Sequence, residues 1–180
     1  MFYIIGLGNP GEEYKDSRHN TGRQAVDQFK NSKMENGKIA KKLKIIESQE
    51  FMNNSGKAVA KVIKSKKAAE NLIVVYDDID LVLGTIKISF DKGSGGHRGL
   101  ESIIKAVKTK EFTRIRIGIS PATPKGKIKK PDGEQKVLDF ILGNFSTSQK
   151  DILKKVFKTV SEAITTIVEE GRERAMNVYN

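Results

Sequence analysis

The stretch Asn71-Leu-Ile-Val-Val-Tyr-Asp-Asp-Ile-Asp80 decides the fold. Leu72 to Tyr76 is continuously apolar, without the alternation of a half-solvated strand. Both faces must therefore be covered, as in the central parallel strand of a layered α/β protein. The run passes directly into Asp77, Asp78 and Asp80. Carboxylates at the C-terminal end of such a strand are badly placed for a core and well placed for a site. A capping or solvated loop accounts for Asp78 or Asp80 more easily than for all three.

Toward the N-terminus, Phe2 to Ile5 has the same character and stops at Gly6, so it is a second short buried strand. A loop with Gly6, Gly8, Asn9, Pro10 and Gly11 follows, then Tyr14 and His19-Asn20. Asn9, Tyr14, His19 and Asn20 thus start just past a strand end. Ser17 or Asn20 could instead cap the next helix, with His19 merely beside it. Gly6, Gly8 and Gly11 also fit the dinucleotide fingerprint, but that motif needs a helix at its third glycine and an acidic strand end some 20 residues later. Pro10-Gly11-Glu-Glu-Tyr predicts a turn, and Lys30 to Lys33 is no strand end, so nucleotide binding is disfavoured.

Ala25, Val26 and Phe29 predict a helix from Gly22 to about Lys30, and Asn31 to Lys38 a polar turn. A strand is expected over Ile39 to Ile46, and a helix after Phe51-Met-Asn-Asn-Ser-Gly-Lys57, capped by Asn54 or Ser55. Thr85 to Phe90 alternates, as a strand near a sheet edge does. Gly93-Ser-Gly-Gly-His-Arg-Gly99 feeds a helix over Leu100 to Val107, with His97 and Arg98 at its mouth, where free N–H groups favour an anion. Phe112 to Ser120 is a further strand that puts Arg114 and Arg116 on one face. Ser120 to Lys136, rich in proline and in Lys125, Lys127, Lys129 and Lys130, is expected to be an exposed, mobile loop. Val137 to Leu142 is a short apolar segment. From Ser148, with Asp151 as a partial capping box, an amphipathic helix is expected over about 148–170, its core formed by Ile152, Val156, Val160, Ala163, Ile164 and Ile167.

At 180 residues and 37% hydrophobic, the chain suits one core and one domain, 1–180. No apolar run approaches the length of a membrane span and nothing resembles a signal peptide, so a membrane is not an expected partner. With no cysteine, thiol catalysis and disulfides are excluded, in keeping with a reducing, cytoplasmic setting. Two histidines and no cysteine make a structural zinc site very poor chemistry. The net charge of +11 points to a polyanion, with nucleic acid first, although only seven of the 33 basic residues are arginine and lysine excess also serves solubility.

Six motifs in register resemble the bacterial-type peptidyl-tRNA hydrolases: Gly6-Leu-Gly-Asn-Pro-Gly11 with Tyr14; Arg18-His-Asn20 with Gly22; Phe51-Met-Asn53 with Ser55-Gly-Lys57; Asp77 to Asp80; Gly95-Gly-His97 with Gly99-Leu100; and Arg114-Ile-Arg-Ile-Gly-Ile119. Phe140 to Phe145 resembles the segment after that family's lid loop. The resemblance implies a single three-layer α/β domain with a mixed, mostly parallel sheet flanked by helices. It implies hydrolysis of the ester joining a peptide to the 3′-terminal ribose of tRNA, without metal or cofactor, by a monomer. His19 would be the base near neutral pKa, and Asp77 would hold its other nitrogen. Asn9 and Asn53 offer amides that bind carbonyls without titrating, Asn9 helping to tell peptidyl from free aminoacyl esters. Tyr14, Phe51 and Asn53 would contact substrate near the tRNA end, with Met52 as packing. Arg116 would contact a phosphate, and the Lys150 to Lys158 face with the lysine-rich loop would track the acceptor and T stems.

Three departures from the family's pattern stand out. Arg98 replaces the usual asparagine after Gly-Gly-His and could pair with the terminal phosphate of tRNA. The interval from His19 to Phe51 is short, which implies a trimmed strand pair. The lysine that accompanies Arg116 falls near Ser89, with Lys87 and Lys92 as neighbours. The alternative function is a non-catalytic RNA-binding relative of the same fold.

Overall fold

Strand β3 runs over Leu72–Val82, longer than its apolar part, and lies at the centre of a five-stranded sheet. The computed structural model describes residues 1–34 and 38–180. On one side of β3 lie β1 (Phe2–Gly6) and then β2 (Leu43–Ile45); on the other lie β5 (Thr113–Ser120) and, at the edge, β4 (Ile86–Phe90). All pairings are parallel except β4 with β5. An irregularity between Asp78 and Val82 lets the tail of β3 cross the end of β5, so that β4 returns antiparallel on its far side.

Both faces of the sheet are covered. Helices α1 (Thr21–Phe29), α6 (Thr147–Glu170) and α7 (Arg172–Tyr179) cover one face, where Ile4, Ile73, Val75, Ile115 and Ile117 meet Phe29, Val160 and Ile164. Helices α2 (Ser55–Val62), α3 (Lys66–Ala69) and α4 (Arg98–Val107) cover the other, where Val74, Tyr76 and Phe112 meet Val59, Leu100 and Ile103. Each fully buried Ile, Leu or Phe contributes about 1.5–3 kcal/mol by leaving water. This is the three-layer, mostly parallel arrangement expected. Among the described residues, no helix is long and apolar enough to cross a membrane.

Several expectations need correction. The strand expected over 39–46 shrinks to three residues, because Lys38–Lys41 forms a tight helical turn that buries Ile39. Of the turn expected over 31–38, the first residues belong to a wide helical turn, Lys30–Met34, that continues α1, while 35–37 lie outside the described residues. The apolar segment 137–142 is the end of helix α5 (Glu134–Leu142), which buries none of its residues. Helix α6 starts at Ser146, whose side chain accepts from the Gln149 N–H while Gln149 accepts from the Ser146 N–H; Ser148 and Asp151 do not form the box. Ile152 is 41% exposed and Leu153 takes its place in the core. The last helix, α7, had no clear sequence signal; Asn180 beyond it bonds both the N–H and C=O of Ile88, closing that part of the β4 edge.

Candidate active site

Two glycines bring the first loop against the central strand. A Cβ on Gly22 would lie 2.2 Å from the Val75 carbonyl, and one on Gly6 would lie 2.3 Å from the Gly22 carbonyl. Only glycine allows α1 to start that close to β1 and β3. The residues just before α1, Arg18 to Asn20, are thereby set beside Asp77, midway along β3 where its apolar part ends. Asn20 does not cap α1 with its side chain; it braces the loop instead, accepting from the Asn9 N–H and donating to the Asn9 carbonyl, both at 2.8 Å. Asn9 Oδ1 in turn accepts from the Met52 N–H at 2.8 Å. That bond fixes the amide orientation and leaves the Asn9 NH2 group without a protein partner among the described residues.

His19 Nδ1 lies 2.9 Å and 3.0 Å from the two carboxylate oxygens of Asp77, and both side chains are buried. The Nδ1–H therefore donates to Asp77, which leaves Nε2 as the lone-pair nitrogen. His97 Nε2 approaches the same carboxylate, 3.2 Å from Oδ1, and the two imidazole centroids are 4.9 Å apart. Asp77 is reached from both layers: His19 precedes α1 on one face of the sheet, and His97 caps α4 on the other. Gly95 and Gly96, at φ of 61° and 81°, make the turn that delivers His97. Below that turn Arg114 is wholly buried, with its guanidinium on the carbonyls of Lys92 and Gly93. Arg114 and Arg116 do share a face, yet Arg114 is an anchor for this loop and not a surface cation.

The electrostatics follow from burial and pairing. Burial pushes the His19 pKa down, but the charge of Asp77 and its hydrogen bond outweigh burial, so the value is raised above that of ordinary histidine; Arg98 opposes this rise. Burial would raise Asp77, yet His19 and His97 hold it well below the usual carboxylate range. The ligand-type atoms of His19, Asp77 and His97 lie within 4.8 Å of one another. Each contact is that of an N–H donor on a carboxylate acceptor, so the set is a hydrogen-bonded triad.

The other expected residues lie around this centre to differing degrees. Tyr14 and Phe51 meet edge to face at 6.3 Å, and Phe51 is 53% exposed while Met52 is buried as packing. Asn53 is exposed beside them. Arg116 Nε donates to Asp78 at 2.7 Å, and Lys87 stands directly opposite it on β4. Ser89 is buried opposite Arg114. Arg98 points away from the triad's hydrogen bonds, to Glu134 of α5 at 3.3 Å in an exposed pair. The loop expected over Ser120 to Lys136 is shorter, because Ser120 ends β5 and is buried while Glu134 to Lys136 open α5. Residues 121–133 are largely exposed, with a small bridge between Ala122 and Ile128. Arg18 ties α5 to this site, donating to the Phe140 carbonyl with its guanidinium 4.5 Å from the Phe140 ring centre. An open groove of about 340 Å³ runs alongside, lined by Asn9, Asn20 and Arg23 among others.

Sequence reasoning missed His97 as a partner of Asp77. It took His97 and Arg98 together as charge at a helix mouth. The available signal was that the chain's second and last histidine follows a Gly-Gly turn.

The profile of the peptidyl-tRNA hydrolase family matches residues 3–180. A peptidyl-tRNA hydrolase of Persephonella marina is 35% identical over 98% of this chain and 96% of its own length. The Thermotoga maritima peptidyl-tRNA hydrolase is 38% identical over 98% and 96%. The crystal structure of peptidyl-tRNA hydrolase from Acinetobacter baumannii superposes with a TM-score of 0.81 at 25% identity, covering all of this chain and 94% of that one.

Proposed function

The chain belongs to the peptidyl-tRNA hydrolase family, and we propose that it hydrolyses the ester between a peptide, or an N-blocked aminoacyl group, and the 3′-terminal ribose of tRNA. The observation that carries this reading is the buried His19–Asp77 pair, with Nδ1 held and Nε2 free. Water between His19 Nε2 and the ester carbonyl gives its proton to Nε2 as its oxygen attacks the carbon. The imidazolium formed is stabilised by Asp77, and it returns the proton to the ribose oxygen as the C–O bond breaks. The products are free tRNA and a peptide acid, and no external redox partner or cofactor takes part.

Asn9, bonded to Asn20 next in sequence to the base, is the substrate reader. With its oxygen fixed by the Met52 N–H, its NH2 group is the end offered to a substrate carbonyl. A peptidyl ester presents such a carbonyl at the position where a free aminoacyl ester presents an ammonium. Tyr14, Phe51 and Asn53 form the exposed surface for the tRNA 3′ end. Arg116 contacts a phosphate, with Lys87 across the strand as the second cation in place of the lysine absent at Ser89. The lysine-rich loop 121–133 and the start of α6 follow the acceptor and T stems. All four lysines of that helix start are exposed; Lys150 and Lys154 already pair with Asp16 and Asp151, leaving Lys155 and Lys158 without a carboxylate partner among the described residues. The protein acts as a monomer in the cytoplasm, where peptidyl-tRNA arises.

The test compares wild type with His19→Ala for release of tRNA from N-blocked and from unblocked aminoacyl-tRNA. Hydrolysis of the blocked ester alone, lost in His19→Ala, is expected. Tight tRNA binding with no turnover of either ester in wild type would instead make the chain an RNA-binding relative.

A further inference from the structure

Asp77 does not belong to His19 alone. Its Oδ1 also faces His97 Nε2 at 3.2 Å. The tautomer of His97 is set by its other nitrogen. His97 Nδ1 caps α4, accepting from the Leu100 N–H at a long 3.4 Å. A proton on Nδ1 would confront that N–H and the positive end of the helix. The ring proton therefore sits on Nε2, directed at Asp77. The Tyr76 ring stands nearly perpendicular to His97 at 5.0 Å, and Arg114 anchors the glycine turn that carries it. His97 is thus held in place from three sides.

We propose that His97 is a positioning residue that sets the basicity of His19 through the carboxylate they share. A carboxylate that already accepts a neutral N–H has part of its charge stabilised, so it offers less to an imidazolium on its other side. The charged and titratable groups facing His19 are Asp77 from β3, and His97 and Arg98 from the start of α4. Those facing His97 are Asp77 and Tyr76 from β3 and His19 across the carboxylate. Of these, only Asp77 favours the imidazolium of His19, and His97 is the group that divides it. The division keeps more of the base unprotonated near neutral pH, where it must accept a proton. The inference rests on His19 being the general base.

The chain has two histidines, so imidazole ¹⁵N spectra resolve both rings, and His19 can be titrated without an activity assay. His97→Phe keeps the ring volume and removes the donor; His97→Gln keeps an N–H donor at similar reach. In His97→Phe the His19 pKa is expected to rise by about one unit, and the acid limb of kcat/KM to move alkaline with it. In His97→Gln both are expected to return most of the way to wild type. An unmoved His19 titration in His97→Phe, or equal shifts in the two variants, would overturn the proposal. So would a wild-type spectrum with His97 as the Nδ1–H tautomer, a readout that stands even if the phenylalanine variant does not fold. If His19→Ala retains full hydrolysis, the base assignment fails, while the titration still decides whether His97 tunes His19.

Discussion

Asp77 and Asp80 stand three residues apart on one strand and do different work. Asp77 is 3% exposed and holds two imidazoles, whereas Asp80 pairs with Lys130 Nζ at 2.6 Å with both side chains 53% exposed. A buried charge must be paired, and its partners are then fixed in position. An exposed pair is screened and contributes little to the fold. The contrast extends to the regions around them. The surroundings of Asp77, midway along β3, are assembled from both helical layers and gather three titratable groups in a few atoms. The margin formed by residues 121–133 and the start of α6 carries many solvated cations, which suits a partner recognised by its phosphates and shape.

The largest expected effect falls on the buried side. Asp77→Asn removes the acceptor that fixes the His19 tautomer, and kcat is expected to fall by about 10³–10⁴-fold, as for loss of the acid in a serine-protease triad. The pH profile should move as well. With Asp77 present the His19 pKa is raised, so the acid limb of kcat/KM is expected above the ordinary value of about 6.5. With asparagine, burial and the charge of Arg98 are left acting on His19, and the limb should move acidic. Stability moves in the opposite sense to activity. The depressed Asp77 contributes above about pH 4, and the raised His19 contributes below about pH 6.5 and loses that contribution as pH rises through its folded value. The ion pair is therefore most stabilising where the base is still protonated. The melting temperature of Asp77→Asn should lie furthest below wild type in that window, and a uniform loss across pH would show that the pair is not the cause.

The sequence showed the sheet centre and singled out His19, because both rest on local pattern. Continuous apolar residues identify a central strand, and a scarce histidine just past a strand end invites attention. His97 was visible as a residue but not as a partner, since its bond to Asp77 depends on where α4 docks, which no local spacing encodes. The same limit applies to Arg114: alternation placed it beside Arg116, but only the packed loop shows one arginine buried and the other paired with Asp78. Errors at helix ends came from competing caps, as Ser146 and Ser148 are equally good residues and Gln149 decided between them. Helix α5 was missed because it buries none of its residues fully and only Phe140 and Ile141 pack partly against the core, which leaves little apolar periodicity to read.

On the solvated side, Lys87→Ala sharpens the contrast with a middle-sized effect. Lys87 is exposed opposite Arg116, so its loss should leave kcat and fold intact and raise KM for peptidyl-tRNA by about 3–10-fold. The slope of log(kcat/KM) against log salt should fall by about one. A drop in kcat with unchanged KM would move Lys87 to the chemical side of the division.

Asp80→Asn should have the smallest effect and tests the margin most directly. The substitution breaks an exposed ion pair, so the melting temperature is expected to stay at its wild-type value. Lys130 is freed from its carboxylate and one negative charge leaves the margin proposed to meet tRNA, so KM should fall, by less than about threefold, with kcat unchanged. The sign matters more than the size, because the neighbouring substitution Asp77→Asn can only harm. If Asp80→Asn also lowers kcat, the carboxylates of this strand act as one electrostatic unit. If KM alone falls, the boundary between the buried chemical centre and the solvated tRNA surface lies within the four residues Asp77 to Asp80.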